Sequence, residues 1–329
     1  MIHADNTIPD STIAVALDAV RRASTLTAAA QGKLNAGETI TKGDESPVTV
    51  ADFAAQAVVC STLHEGLGDV AIVGEEDAAD LRGDDSAALL AGVQALVSNE
   101  AGRDVPAGVV ADWVGLGASD ATSDVYWTLD PIDGTKGFLR GDQFAIALGL
   151  IVRGEVVLGA LGCPNMANDD GSTGTVFIAA NGSSEMYLGS ATAAVPVRVA
   201  NPASLADARL CESVESGHSD QDQSVQIGQR LGIEAEPFRI DSQCKYGAIA
   251  RGDASIYLRL PTRADYQEKI WDHAAGKFVV EQAGGVVTDV TGAPLDFSRG
   301  SRLSANSGVV ATSGEFHDEV IAAVRHVLG

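Results

Sequence analysis

Four apolar runs between residues 145 and 187 constrain the fold of this chain more than any other feature. Residues 145–152 lead through Arg153-Gly154 into 155–161, and residues 175–180 lead through Asn181-Gly182 into 183–187. Each dipeptide suits a two-residue turn whose central residues take positive φ, the geometry that matches the twist of paired strands. Two hairpins in succession predict a sizeable antiparallel sheet. A sheet with apolar residues this dense has to be covered by helices or by a second sheet.

The rest of the chain supplies such cover. Residues 11–30 have the length and Ala/Leu content of a helix, with Asp10 or Ser11 as its cap. A second helical pattern begins near Asp52, which would stand at its first turn as a cap, a dipole partner or a functional acid. Residues 69–77 read as a buried strand ending in Glu75, Glu76 and Asp77. Residues 78–112 follow as an acidic segment with one helical run, 86–97. Ala-rich residues 189–196 are a candidate hinge, dividing the chain into domains 1–190 and 191–329. Beyond them strands near 209–213, 238–240 and 255–260 alternate with helices near 220–232 and 245–251, which predicts layered α/β packing. A helix after Trp271 stops at Gly284-Gly285. Strands over 285–290 and 308–311 and a helix over 315–328 close the chain.

Composition excludes several classes of function. With 45% hydrophobic residues in 329, the chain is globular, and a formal net charge of -23 leaves no basic patch for nucleic acid or a membrane surface. No apolar run approaches the roughly 20 residues of a membrane span. Residues 1–10 lack a basic region followed by an apolar core, so a cytoplasmic location is expected, an organellar one remaining open. Cys60, Cys163, Cys211 and Cys244 are widely spaced, which fits a reducing compartment better than a disulfide framework. The only lysines are Lys33, Lys42, Lys136, Lys245, Lys269 and Lys277. If so acidic a chain handles a phosphorylated ligand, it must concentrate those few cations at the site.

Residues 126–138 carry the densest chemistry. Tyr126 to Leu129 read as a short strand, and Pro131, which lacks an N–H, predicts a turn that projects Asp130 and Asp133 with the Ile132 carbonyl between them. Two carboxylates and a carbonyl form a hard, all-oxygen donor set suited to Mg²⁺. Thr135 can cap a following turn and place a hydroxyl beside the acids. An ordinary polar turn is the competing interpretation. An EF-hand is excluded, because ligand positions counted from Asp130 fall on Ile132, Gly134 and Gly141. Asp272 at the start of the later helix has a similar alternative as an N-cap, and His273 lacks a Ser or Cys partner in sequence.

Taken in order, Gly74-Glu75-Glu76, Asp130-Pro-Ile-Asp-Gly-Thr135 and Trp271-Asp272-His-Ala-Ala-Gly276 resemble the three metal-site signatures of the inositol monophosphatase superfamily of Mg²⁺-dependent, Li⁺-sensitive phosphatases. Within it the chain is most similar to the 3'(2'),5'-bisphosphate nucleotidases, through Ser46-Pro-Val-Thr, residues 133–141, residues 212–219, Asp241-Ser-Gln-Cys-Lys-Tyr246, Tyr257-Leu-Arg-Leu-Pro261 and residues 266–273. The resemblance implies a layered αβαβα sandwich of the sugar-phosphatase type. It implies two or three Mg²⁺ ions held by Glu75, Asp130, the Ile132 carbonyl, Asp133 and Asp272, with Asp52 and Thr135 activating water. It further implies that Thr135, His218, Ser242, Lys245, Arg259 and Asp272 contact a bisphosphorylated nucleotide. Inhibition by Li⁺, a link to sulfur assimilation and action on the sulfated nucleotide are expected with it. An inositol polyphosphate 1-phosphatase is the neighbouring alternative, and an inactive nucleotide or metal sensor on the same fold is the alternative of a different class. Residues 77–112 do not match the superfamily closely.

Overall fold

The structure is a computed structural model describing residues 6–31, 50–83, 86–214, 222–261, 263 and 266–329, with the backbone alone of 40–41, 47–48 and 221. Helix α1 (Asp10–Gln31) is followed by a two-strand pair, β1 (Ile40–Thr41) and β2 (Pro47–Val48), and by helix α2 (Val50–Leu67). A seven-stranded sheet then forms in sequence order: β3 (Ile72–Gly74), β4 (Val125–Asp133), β5 (Ala145–Val152), β6 (Glu155–Ala167), β7 (Thr173–Ala180), β8 (Ser183–Leu188) and β9 (Val195–Pro196). Strand β3 runs parallel to β4, and every later pairing is antiparallel. Both expected hairpins are present. Arg153, Gly154, Asn181 and Gly182 all have positive φ, as the tight turns require. The Ala-rich stretch 189–196 carries edge strand β9.

Side-chain alternation on the first sheet explains its two covers. On β5, Ile146, Leu148, Leu150 and Val152 pack with α1 and α2, while Ala145, Ala147 and Ile151 face the opposite way. There they meet α7 (Cys244–Arg251) and α8 (Ala274–Gln282), which form the central layer. Gly159 of β6 allows α8 to lie unusually close, since a Cβ there would sit 2.7 Å from the Ala275 carbonyl oxygen.

A second sheet covers the far side of that layer. Its strands, β10 (Leu210–Glu212), β11 (Phe238–Arg239), β12 (Ile256–Arg259), β13 (Val286–Thr288) and β14 (Val309–Thr312), lie in the order β11-β10-β12-β14-β13. Cys211, Tyr257, Val287 and Ala311 face inward, and Leu210, Ile256, Leu258 and Val310 face outward onto α6 (Gln221–Leu231) and α9 (His317–Leu328). The result is the expected αβαβα sandwich.

Two expectations require correction. Residues 78–112 hold more helix than the single run expected: a 3₁₀ turn (Ala78–Leu81), α3 (Ala87–Ala101) and α4 (Ala107–Gly115) pack as a third apolar cluster on α2. Gly102 ends α3 in the left-handed conformation and Pro106 caps α4. The second correction concerns Asp130-Pro131, where the chain does not turn. Strand β4 continues through Asp133, and α5 (Thr135–Arg140) follows it. Asp130 pairs with Ala147 and Asp133 with Ala145, so three steps on β4 match two on β5. The extra residue makes a bulge, where a proline without an N–H is tolerated.

Candidate active site

The bulge is what brings the acids together. In a regular strand, residues three apart point to opposite faces; one extra residue places Asp130 and Asp133 in a common cluster. The parallel β3–β4 pairing adds Glu75. Its N–H donates to the Leu129 carbonyl (3.2 Å), which sets Glu75 beside Asp130 at the ends of neighbouring strands. Asp52 arrives from the first turn of α2 and is buried.

The three acids after β3 have separate roles. Glu76 is buried, with its N–H donating to Gln56 Oε1 (3.0 Å) and its carbonyl accepting from Gln56 Nε2 (2.7 Å). Asp77 caps the 3₁₀ turn by accepting from the Ala79 N–H (2.9 Å). Of the three, Glu75 is the one whose charge acts on Asp130.

Asp130 records the concentration of charge. It is 2% exposed, and its Oδ1 has no hydrogen-bond partner among the described residues. Burial, followed by the fields of Glu75, Asp133, Asp272 and Asp52, pushes its pKa well above the carboxylate range. Asp272, in the turn before α8, is pushed up to about 7. Burial is the main cause, opposed by Arg259 and His273 and reinforced by Asp133 and Glu75. Five acids from α2, β3, β4 and the α8 approach therefore share one region. Asp272 is not an N-cap, because His273 occupies that position and makes no side-chain capping bond.

Around the acids, Thr135 is the first residue of α5 and Gly134 is its cap. The Thr135 hydroxyl donates to the Ile132 carbonyl (3.2 Å) instead of capping the helix, while the Ile132 side chain packs into the outer core. Gly134, at φ +89°, lies against Ser242: a Cβ there would be 2.9 Å from Ser242 Cβ. Ser242 itself adopts a left-handed φ of 63°, a strained conformation for a non-glycine residue.

The second half supplies the cations. Lys245, in the first turn of α7, is buried and donates to Ser213 Oγ (3.1 Å), with Nζ 5.3 Å from the Tyr257 ring centre. Burial lowers its pKa and the nearby Asp133 charge opposes that fall. Arg259, at the end of β12, pairs with Glu268 (2.8 Å) and lies 3.6 Å from Asp272. Burial by itself would raise the Glu268 carboxyl, but the His273 ring and Arg259 hold it down at about 2. His218 lies outside the described residues.

Two buried amides that the motifs did not reveal hold this assembly. Gln243 donates its N–H to Asp133 Oδ2 and its Nε2 to the Trp271 carbonyl (2.9 Å), and its Oε1 accepts from Gly276 (3.2 Å). It thereby ties β4, α7 and α8 together beside Asp133 and Asp272. Gln56 fixes the loop after β3 and also donates to the Val114 carbonyl (3.1 Å). Its signal in the sequence is a lone amide inside the apolar run of α2; Gln243 lies inside Asp241-Ser-Gln-Cys-Lys-Tyr246, where nothing marks its tie to Asp133.

Similar proteins are known both by sequence and by structure. A 3'(2'),5'-bisphosphate nucleotidase of Emericella nidulans is 43% identical, the match covering 94% of this chain and 96% of that protein. The protein of the same name from Oryza sativa is 40% identical over 96% of this chain and 94% of its own length. Among solved structures, Thermotoga maritima IMPase superposes with a TM-score of 0.64 at 20% identity, covering 95% of this chain and 96% of that one. CysQ from Bacteroides thetaiotaomicron, a bacterial member of the inositol monophosphatase family, does so with a TM-score of 0.60 at 19% identity, covering 92% and 97%. At those identities the structures establish the fold alone. Residues 9–328 match the inositol monophosphatase family, and the chain belongs to that family.

Proposed function

We propose that this protein is a 3'(2'),5'-bisphosphate nucleotidase that removes the 3'-phosphate of adenosine 3',5'-bisphosphate, giving AMP and inorganic phosphate. The observation that carries the proposal is buried Asp130, with one oxygen unpartnered, ringed by Asp52, Glu75, Asp133 and Asp272, with Lys245 near Asp133 and Arg259 beside Asp272. Relatives named for this activity, at 37–43% identity over nearly the whole chain, support the nucleotide as substrate.

The donors fit divalent magnesium, being hard oxygens whose gathered charge nothing among the described side chains fully offsets at Asp130. Glu75, Asp130, the Ile132 carbonyl, Asp133 and Asp272 would hold two or three Mg²⁺. When bound, Mg²⁺ lowers the pKa of water and neutralises charge on the transferred phosphoryl group and the leaving oxygen. Asp52 and the Thr135 hydroxyl orient the attacking water, and the Asp52 carboxylate takes its proton. As the water oxygen bonds to phosphorus, the bond from phosphorus to the ribose 3'-oxygen breaks, and that oxygen leaves with the bonding pair and takes a proton from solvent water. Lys245, Arg259, Ser242 and His218 hold the uncleaved 5'-phosphate and the nucleoside, with Thr135 and Asp272 touching the substrate from the acidic side. In this division residues 1–190 supply the water-activating acids, and residues 191–329 supply the nucleotide contacts and the last acid.

The same contacts admit the 5'-phosphosulfate form of the nucleotide, which would connect the enzyme to sulfur assimilation, and Li⁺ is expected to inhibit. No described helix is long and apolar enough to cross a membrane. The wide spacing of the four cysteines in sequence fits a reducing, cytoplasmic setting.

Phosphate release from adenosine 3',5'-bisphosphate and from inositol 1,4-bisphosphate at equal Mg²⁺, with and without Li⁺, tests the proposal. A kcat/KM at least about tenfold higher on the nucleotide is expected. Preference for the inositol compound would make the protein an inositol polyphosphate 1-phosphatase, and no release from either would make it a sensor.

A further inference from the structure

One guanidinium nitrogen at the end of β12 is contested by two carboxylates. Arg259 Nη2 is 2.8 Å from Glu268 Oε2 and 3.6 Å from Asp272 Oδ2. The same Glu268 oxygen lies 3.2 Å from His273 Nε2, and His273 Nδ1 lies 2.7 Å from the Tyr246 hydroxyl. A carboxylate only accepts, so Nε2 carries a ring proton toward Glu268, and Nδ1 shares a hydrogen bond with the Tyr246 hydroxyl. Tyr246 and His273 are fully buried, and the three groups form a fixed line ending on Arg259.

We propose that Glu268, locked by His273 and Tyr246, is a positioning residue that holds Arg259 off Asp272 and so keeps Asp272 available to a divalent cation. Without the Glu268 charge, Arg259 moves onto the next carboxylate, and a carboxylate paired to a guanidinium is a poorer cation ligand. The ligand atoms of Glu268, Asp272 and His273 lie within 4.8 Å of one another, the spacing of a possible metal site. Glu268 and His273 already spend their facing atoms on each other and on Arg259, so the trio serves as an orienting device. This role rests on the metal-dependent function proposed above.

The test is direct Mn²⁺ binding by calorimetry, alongside the Mg²⁺ half-saturation of turnover, in the wild type, Glu268→Gln, Arg259→Gln and the double variant. Glu268→Gln is expected to weaken Mn²⁺ binding about tenfold, and in the Arg259→Gln background to change it less than about twofold, because the two residues act through one contact. Should Glu268→Gln not fold, Tyr246→Phe is expected to weaken binding about two- to threefold, an effect that also vanishes with Arg259→Gln. Unchanged Mn²⁺ binding in Glu268→Gln, or a loss that persists undiminished without Arg259, overturns the proposal while leaving the phosphatase assignment standing. A wild-type protein that binds no Mn²⁺ overturns both.

Discussion

The two walls of the site handle charge in opposite ways. On the wall built from α2, β3 and β4, acids are crowded until Asp130 is driven well above the carboxylate range, and one of its oxygens stays unpartnered. On the wall built from α7 and β12, Arg259 is compensated in advance by Glu268, and Lys245 rests on the Ser213 hydroxyl and the Tyr257 ring. A buried charge lacking compensation costs several kcal/mol in principle, whereas a paired one costs far less. In the proposed enzyme the first wall is therefore strained until a cation arrives, and the second is rigid before the substrate does.

Asp130→Asn should break this contrast most severely. Turnover is expected to fall by about 10³-fold or more, while the metal-free protein gains roughly 1–2 kcal/mol of stability. Phosphate release and thermal unfolding in chelator measure the two effects, and a less stable variant would contradict the strained wall. The next effect is on pH dependence. With Asp272 raised to about 7 and Asp130 well above its ordinary value, the folded protein binds more protons than the unfolded chain across the interval from about pH 4 to pH 7. Metal-free stability should accordingly fall as pH rises through that window. Melting curves in chelator should show it, Asp272→Asn should flatten it, and Mg²⁺ should raise the Tm more at pH 7 than at pH 5. On the opposite wall, Lys245→Ala should raise KM for the bisphosphate about 10- to 100-fold with kcat within about threefold; a kcat collapse with unaltered KM would move Lys245 to the reacting centre. The smallest effect belongs to neither wall. Asn181, whose side chain bonds the Ile8 N–H and carbonyl at 2.8 Å each, should cost about 1 kcal/mol on replacement by Ala, with activity unchanged.

Local chemistry was legible in the sequence wherever it was decided locally. The Arg153-Gly154 and Asn181-Gly182 turns follow from backbone preferences alone, and they fix the antiparallel order of the first sheet. Asp130-Pro-Ile-Asp was harder. Whether Pro131 ends a strand or sits in a bulge depends on Ala145 and Ala147 of β5, which no local pattern announces. For the same reason the acids could be identified as a group, but not the residues that hold them. Gln56, Gln243, Tyr246 and Glu268 act through partners distant in sequence, and each alone resembles an ordinary polar or aromatic core residue. The second helix of residues 78–112 was hidden by acidic composition, although Val110 and Val114 bury fully on the α2 side.

The central layer has a consequence for when this protein becomes active. Helix α8 is clasped by both sheets, with Gly159 admitting its backbone on one side, and Asp272 leads directly into it. During synthesis, α2 and the first sheet emerge long before α8, and they carry four of the five acids. A nascent chain at that stage displays most of the proposed ligands and yet has no enclosed site. Competence waits for docking of the helix that opens after Asp272, so a truncated or stalled chain would carry the chemistry without being able to perform it.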